Sequence, residues 1–237
     1  MTNADADPTH RLYVIGDIHG RLDLLDKIVH AITRDAQSFG GPSLTVTLGD
    51  YIDRGPNSRG VINHLLNNPF PGEYTALKGN HEALLETFLK QPDSGNHWRQ
   101  MGGLETLHSF GIPVAPLMTG KNFQQAAEQL RAAMSPLELN FLRSLKTSLM
   151  VGRFFLCHAG VRPGVPLDRQ SEEDLLWIRD DFLNSDLDFG KTVVHGHTPV
   201  QEPEFRRNRI NIDTGAFATG RLTCLVATPE KCWTINT

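Results

Sequence analysis

Cysteine is scarce and odd in number: Cys157, Cys224 and Cys232 are the only three in 237 residues. Their spacing matches no zinc-ligand pattern, and an odd count does not close into a disulfide framework. Each lies in an apolar run, which predicts buried free thiols, a reducing environment and a cytoplasmic protein. No apolar stretch reaches the roughly 20 residues that a membrane-spanning helix needs. Residues 1–10 are polar and acidic, without the apolar core of a secretion signal, and read as a disordered tail. Strong charge of one sign is missing too: a formal net charge of −4 argues against broad binding to nucleic acid or an anionic membrane. Repeats, low-complexity segments and linkers are absent from the pattern. A single domain over residues 11–237 is therefore expected, and its 39% hydrophobic content is enough for a folded core.

What the chain does have is a recurring plan. The apolar run Leu12-Tyr13-Val14-Ile15 reads as a buried strand and ends in Gly16-Asp17-Ile18-His19-Gly20. A helical pattern follows, with Leu22, Leu25, Ile28, Val29 and Ile32 on one face. Leu44-Thr45-Val46-Thr47-Leu48 ends in Gly49-Asp50-Tyr51-Ile52-Asp53-Arg54-Gly55, and a helix is predicted over Ser58–Leu66. Tyr74-Thr75-Ala76-Leu77 ends in Lys78-Gly79-Asn80-His81-Glu82 and leads into a third helix. Three strand–polar loop–helix units in a row predict a βαβαβ half with its reactive groups at the strand C-termini, where open α/β sheets bind ligands.

Residues 91–120 are less regular and read as a rim over that edge. Residues 122–134 and the capped segment opening Ser135-Pro136-Leu137-Glu138 predict two structural helices. The second half is strand-rich. A hairpin about Gly152 leads into Cys157-His158-Ala159, and residues 171–183 read as one short acidic helix in which Trp177 is core. Thr192-Val193-Val194 leads into His195-Gly196-His197-Thr198, and closing strands follow around Ile212, Leu225 and Trp233.

Together the strand ends present Asp17, His19, Asp50, Asn80, His158 and His197. Six polar donors at strand ends are too many for one ion with an open position, and suit two ions sharing a carboxylate. Mixed oxygen and nitrogen donors favour Mn, Fe, Zn or Co over Ca or Mg. No cysteine joins the set, which argues against a structural zinc site.

These pieces, in this order, resemble the phosphoprotein phosphatase family of metallophosphoesterases. The likeness rests on Gly16-Asp17-Ile18-His19-Gly20, Gly49-Asp50-Tyr51-Ile52-Asp53-Arg54-Gly55 and Gly79-Asn80-His81-Glu82. It continues in Cys157-His158-Ala159, Trp177-Ile178-Arg179, Gly196-His197-Thr198-Pro199 and Ile212-Asp213-Thr214-Gly215. In the later part the chain is most similar to the compact phage-lambda-type and bacterial serine/threonine phosphatases. The resemblance implies an α/β calcineurin-like fold: two packed mixed β-sheets flanked by helices, with the active site at strand C-terminal ends. It implies one metal on Asp17, His19 and Asp50, and another on Asp50, Asn80, His158 and His197, most simply manganese. Arg54, Arg179 and Arg162 would bind phosphate. A hydroxide bridging the ions would attack phosphorus, with His81 as general acid oriented by Asp53. Gly196 sets the register onto His197, so His195 reads as structural. Lys78 stands where the phage-type enzyme has arginine and keeps the charge without the fork. Glu82 reads as a helix N-terminal charge.

The implied substrates are phosphoserine and phosphothreonine proteins or peptides, with a dual specificity extending to phosphotyrosine and no regulatory subunit. The competing implication is a symmetrical dinucleoside tetraphosphate hydrolase. That group lacks an acid matching Asp53 and usually ends its third motif in Asp, where this chain has Glu82. A metal-binding scaffold without catalysis is the remaining alternative.

Overall fold

A computed structural model describes residues 11–237; the tail expected over residues 1–10 lies outside them. The first half alternates as expected: β1 (Arg11–Ile15), α1 (Leu22–Phe39), β2 (Ser43–Thr47), α2 (Ser58–Leu66), β3 (Glu73–Ala76) and α3 (Asn80–Lys90). Short helices follow: α4 (Gly95–Gln100), α5 (Gly103–Ser109) and α6 (Ala115–Met118), then the longer α7 (Phe123–Ala133) and α8 (Pro136–Ser144). The second half holds β4 (Ser148–Val151), β5 (Phe154–Cys157), α9 (Glu172–Trp177), α10 (Asp180–Leu183), β6 (Thr192–His195), β7 (Glu204–Phe205) and β8 (Arg209–Asn211). It closes with α11 (Ala216–Thr219), β9 (Thr223–Ala227) and β10 (Cys232–Asn236).

Two mixed sheets form, in the orders β10-β9-β1-β2-β3 and β4-β5-β6-β8-β7. β1 lies parallel to β2 and antiparallel to β9; β5, β6 and β8 are mutually parallel. The alternation within β1 shows the layering. Leu12 and Val14 join Val46, Leu156, Val194 and Ile212 between the sheets, while Tyr13 and Ile15 face a second core shared with α1, α2 and α3. A third core, with Phe155, Val193, Leu175 and Phe182, fixes α9 and α10 to the outer face of the second sheet. β2 is covered on both faces and all five of its residues are buried, and two of its polar side chains are satisfied inside: Ser43 Oγ donates to the Pro71 carbonyl at 3.0 Å, and Thr47 Oγ1 shares a hydrogen bond with the Tyr51 hydroxyl at 2.8 Å. Among the described residues no helix is long and apolar enough to cross a membrane.

Local chemistry accounts for the helices. α1 buries Leu24, Leu25, Ile28, Ile32 and Ala36 on one stripe and stops at Gly40, whose φ of 69° closes the helix end. α8 starts on the expected capping box: Ser135 Oγ accepts the Glu138 N–H, and Glu138 Oε2 accepts the Ser135 N–H at 2.6 Å. One expectation fails. Residues 171–183 form two helices rather than one, because Ile178 is extended (φ −60°, ψ 142°) and Arg179 also leaves helical geometry. The break lets Leu175, Ile178 and Phe182 share the third core while Arg179 stays exposed.

Candidate active site

The strand register builds the site. Ile15 of β1 pairs with Thr47 of β2, so the loops after both strands leave the same sheet edge. Ile18 and His19 donate their N–H groups to the Asp50 carbonyl at 3.1 and 2.7 Å. In the second sheet Gly196 donates to the His158 carbonyl at 2.8 Å, setting the loops after β5 and β6 side by side. Two contacts join the sheets: His158 Nδ1 donates to the Leu48 carbonyl (3.1 Å), and the His197 N–H donates to Asp17 Oδ2 (3.1 Å). Two glycines are required by close approach. A Cβ at Gly196 would press on Asp17 Oδ1, and one at Gly79 on Asp50 Oδ1.

Among the described residues seven non-glycine positions take positive φ, and five belong to these loops. They are His19 (45°), Asp50 (53°), Asp53 (71°), Arg54 (67°) and His197 (66°). Backbone strain gathered at one edge of a fold is a mark of a functional site.

Six of the expected donors converge here. Asp50 Oδ1 lies 3.5 Å from His158 Nε2, and Asp50 Oδ2 lies 3.5 Å from His19 Nε2 and 3.8 Å from His81 Nε2. Asn80 Oδ1 is 2.8 Å from both His158 Nε2 and His197 Nδ1. A backbone carbonyl can only accept, so His158 carries its proton on Nδ1 and presents a bare Nε2 lone pair to the Asn80 oxygen. His19 is set likewise, with Nδ1 donating to the Ile52 carbonyl at 2.9 Å. Asp17 Oδ1 is buried without a partner. Lone pairs aimed at one another without protons between them repel unless a cation lies among them. Asp17, Asp50 and His158 bring ligand atoms within 4.8 Å of one another, as do His19, Asp50 and His81, and Asp50 is common to both groups. The donor chemistry therefore fits two divalent cations meeting at Asp50.

Charge sorts the histidines. Burial drives the His19 imidazole down to about 3 and lowers His158 and His197 as well, so all three are neutral, the form in which an imidazole can offer a lone pair to a cation. Arg179 adds to the lowering at His158 and His197, which locates its charge on that side of the site. Among the described residues its guanidinium makes no hydrogen bond or ion pair. Burial would raise the Asp50 carboxyl, but His158, His81 and His19 hold it below the usual carboxylate range. Burial, then Asp213 and Asp50, push Asp17 well up. His81 goes the other way from the other three histidines. Burial opposes its cationic form, yet Asp50 and Asp53 outweigh burial and raise it.

His81 Nδ1 donates to Asp53 Oδ2 at 2.7 Å, so Nε2 faces the cluster. Asp53 is itself pinned: Trp98 Nε1 donates to Oδ2 (2.8 Å) and Thr106 Oγ1 to Oδ1 (2.5 Å). Arg54 spans the two sides, with Nη1 at 3.1 Å from His19 Nε2 and Nη2 at 3.0 Å from His81 Nε2. The Phe217 ring lies 4.7 Å from its guanidinium carbon and 5.4 Å from the His19 ring.

Several readings need revision. Arg162 is not free for phosphate: its guanidinium pairs with Asp174 and Asp181 on the α9–α10 segment. Lys78 is likewise engaged, at 3.0 Å from both Glu86 and Glu172. Trp177 is 36% exposed rather than core, and its ring edge meets His197 at 6.2 Å. Glu82 does more than charge a helix end. It accepts the N–H groups of Asp50, Tyr51 and Gly79, each at 2.9 Å, and so welds the loops after β2 and β3. Trp98 and Thr106 lie in the segment that read only as a rim, with nothing in the sequence to mark their hold on Asp53, and Phe217 had no signal at all. Asp213 had one, since it lies in a quoted motif; burial raises its carboxyl to about 6 beside Asp17.

His195 lies outside the donor cluster. Its ring packs 5.0 Å from Phe182, and Nδ1 faces the Gly196 carbonyl at 3.1 Å. Accordingly His197→Ala is expected to lose metal at one site, while His195→Ala keeps its metal and loses stability. Elemental analysis beside a thermal melt tests this; metal loss in His195→Ala alone would reverse the assignment.

Residues 10–218 match the model of the calcineurin-like phosphoesterase family. Among curated proteins the chain is 30% identical over 230 residues to serine/threonine-protein phosphatase 2 of Salmonella typhimurium, covering 92% of this chain and 93% of that one. It is 29% identical over 221 residues to the Escherichia coli protein of the same name, covering 89% and 90%. It is also 29% identical over 235 residues to the asymmetrical bis(5'-nucleosyl)-tetraphosphatase of Bacillus subtilis, covering 89% and 88%. A solved structure described as a candidate diadenosine tetraphosphatase superposes with a TM-score of 0.66 at 22% identity, covering 96% of this chain and 94% of that one; at that identity it speaks to the fold alone. With the strand-end cluster, the sheet order and a family match across most of its length, the chain belongs to the calcineurin-like phosphoesterases and is a metallophosphoesterase.

Proposed function

We propose that the chain is a serine/threonine protein phosphatase, extending to phosphotyrosine, that works in the cytosol with two divalent ions, manganese the simplest pair. The observation that carries this reading is the His81–Asp53 pair at 2.7 Å, with Asp53 locked by Trp98 and Thr106. A serine or threonine alkoxide is a poor leaving group and needs a proton; a nucleotide leaving from a polyphosphate does not. A buried acid pair held in place by two further donors serves the first far more than the second.

In this reading Asp17, His19 and Asp50 hold one ion, and Asp50, Asn80, His158 and His197 the other. Bound there, the ions would supply Lewis acidity toward the phosphoryl oxygens and an activated water. The chain's own groups do the rest. The Arg54 fork and the unpaired Arg179 grip the phosphoryl oxygens. Asp53 keeps the His81 proton on Nδ1 and stabilises the imidazolium, so that Nε2 can hand a second proton to the leaving oxygen. Glu82, by tying the Asp50 and Gly79 backbones together, keeps the loops of both ions in one register.

The second reading, a dinucleoside polyphosphate hydrolase, is favoured by the Bacillus subtilis relative, which is named an asymmetrical hydrolase, whereas the alternative weighed from the sequence is the symmetrical kind. The test is a side-by-side assay of phosphothreonine peptide and diadenosine tetraphosphate over several divalent metals. A kcat/KM for the peptide at least tenfold higher is expected; the reverse order would transfer the chain to the second reading.

A further inference from the structure

Beside the active site runs a groove that the chemistry above does not use. It lies between α3 and α8, encloses about 520 Å³, and has Leu85, Leu89 and Leu142 on its floor. Its rim carries four cations, Lys78, Lys90, Arg131 and Arg143, against one lining carboxylate, Glu86. Lys78 is neutralised by Glu86 and Glu172, and Arg131 donates to the Leu89 carbonyl at the end of α3. Lys90 and Arg143 make no ion pair or side-chain hydrogen bond among the described residues. In a chain of net charge −4, this is a local surplus of positive charge over an apolar floor.

We propose that this groove docks the acidic segment flanking the phosphoresidue of a protein substrate, with an aliphatic side chain of that segment on the leucine floor. The inference rests on the protein-phosphatase reading. Charge complementarity identifies the partner: cations beside an apolar floor suit a peptide that alternates carboxylates with leucine-like side chains. Position identifies the substrate. The groove starts at Lys78, directly before Gly79, Asn80 and His81, and follows α3 outward to Lys90. The Lys78–Glu172 pair at its mouth ties it to α9, the helix that leads to Arg179. An 11-residue helix is about 16 Å long, which an extended peptide at about 3.3 Å per residue spans in about five residues. Carboxylates about five or six residues from the phosphoresidue therefore fall opposite Lys90 and Arg143.

The experiment uses the metal-loaded full chain, a set of phosphothreonine peptides and para-nitrophenyl phosphate. The peptides carry Glu-Leu-Glu, Gln-Leu-Gln or Lys-Leu-Lys flanks on either the N- or the C-terminal side. The variants are K90E/R143E, exposed and outside the catalytic groups, and the milder K90Q/R143Q. In the wild type the acidic flank, on one side only, is expected to lower KM about tenfold relative to the neutral flank, with kcat unchanged and the gain fading at high salt. K90E/R143E is expected to abolish that gain and to prefer the basic flank, while turnover of para-nitrophenyl phosphate stays at the wild-type level. Peptides hydrolysed with a KM indifferent to flank charge, or a preference that survives both double variants, would overturn the docking site and leave the phosphatase reading standing. A wild type that hydrolyses diadenosine tetraphosphate and no phosphopeptide would overturn both.

Discussion

Asp17→Asn and His158→Asn are each expected to reduce turnover by about 10³-fold and to lower the bound metal. Losing one donor to a catalytic ion forfeits several kcal/mol of transition-state stabilisation, and each 1.36 kcal/mol is tenfold in rate. Asparagine at position 17 keeps the shape and the bond from the His197 N–H, so the backbone has no reason to move. What it removes is the negative charge on the unpartnered Oδ1. Burial, and after it the neighbouring Asp213 and Asp50, disfavour that charge and push the Asp17 carboxyl well up. The metal-free Asp17→Asn protein should therefore melt at or above the temperature of the metal-free wild type, while the metal-loaded order is reversed. Elemental analysis and paired melts with and without chelator give both readouts. Unchanged metal content in both variants would remove Asp17 and His158 from the ligand set.

The second large effect concerns His81. If its Nε2 protonates the leaving oxygen, its loss hurts in proportion to how badly that oxygen needs a proton. His81→Asn is expected to lower turnover of phosphoserine peptides by about 10²–10⁴-fold. Para-nitrophenolate leaves with little help and should lose far less, with metal content kept. Asp53→Asn should follow the same pattern more weakly, because Trp98 and Thr106 still anchor the side chain while the imidazolium loses its counter-charge. Turnover measured against leaving-group pKa for the wild type and both variants decides the matter. A His81→Asn line no steeper than the wild-type line, with chemistry shown to limit the rate, would leave His81 as a binding residue.

What could be read from the sequence was whatever is contiguous. Each candidate ligand sits within four residues of the end of a strand, so Asp17, Asp50, Asn80, His158 and His197 stand out from local pattern alone. The two-sheet sandwich follows from the same strands. What could not be read depends on contacts that only the topology makes. Asp53 is locked by Trp98 and Thr106, 45 and 53 residues further on, in a stretch without periodicity. Phe217 reaches Arg54 from the far end of the chain, through the antiparallel strand that returns beside β1. Arg162 carries the residue type that phosphate needs, but Asp174 and Asp181 neutralise it, and nothing near it in sequence announces that. Residues 171–183 have a helical period, yet covering the third core favours a break at Ile178.

The positive φ angles at His19, Asp50, Asp53, Arg54 and His197 bear on how this chain can change over generations. A side chain in that region costs about 1–2 kcal/mol, which glycine does not incur. Five such positions hold an energy comparable with the net stability of a whole domain, about 5–15 kcal/mol. At Asp53 folding itself opposes glycine, because His81, Trp98 and Thr106 would lose the carboxylate that accepts their hydrogen bonds. At His19, Asp50, Arg54 and His197 the main opposition to glycine is selection for turnover. Descendants released from catalysis should therefore lose those four side chains before Asp53, and the order in which glycines accumulate among relatives would mark the lineages that have ceased to be enzymes.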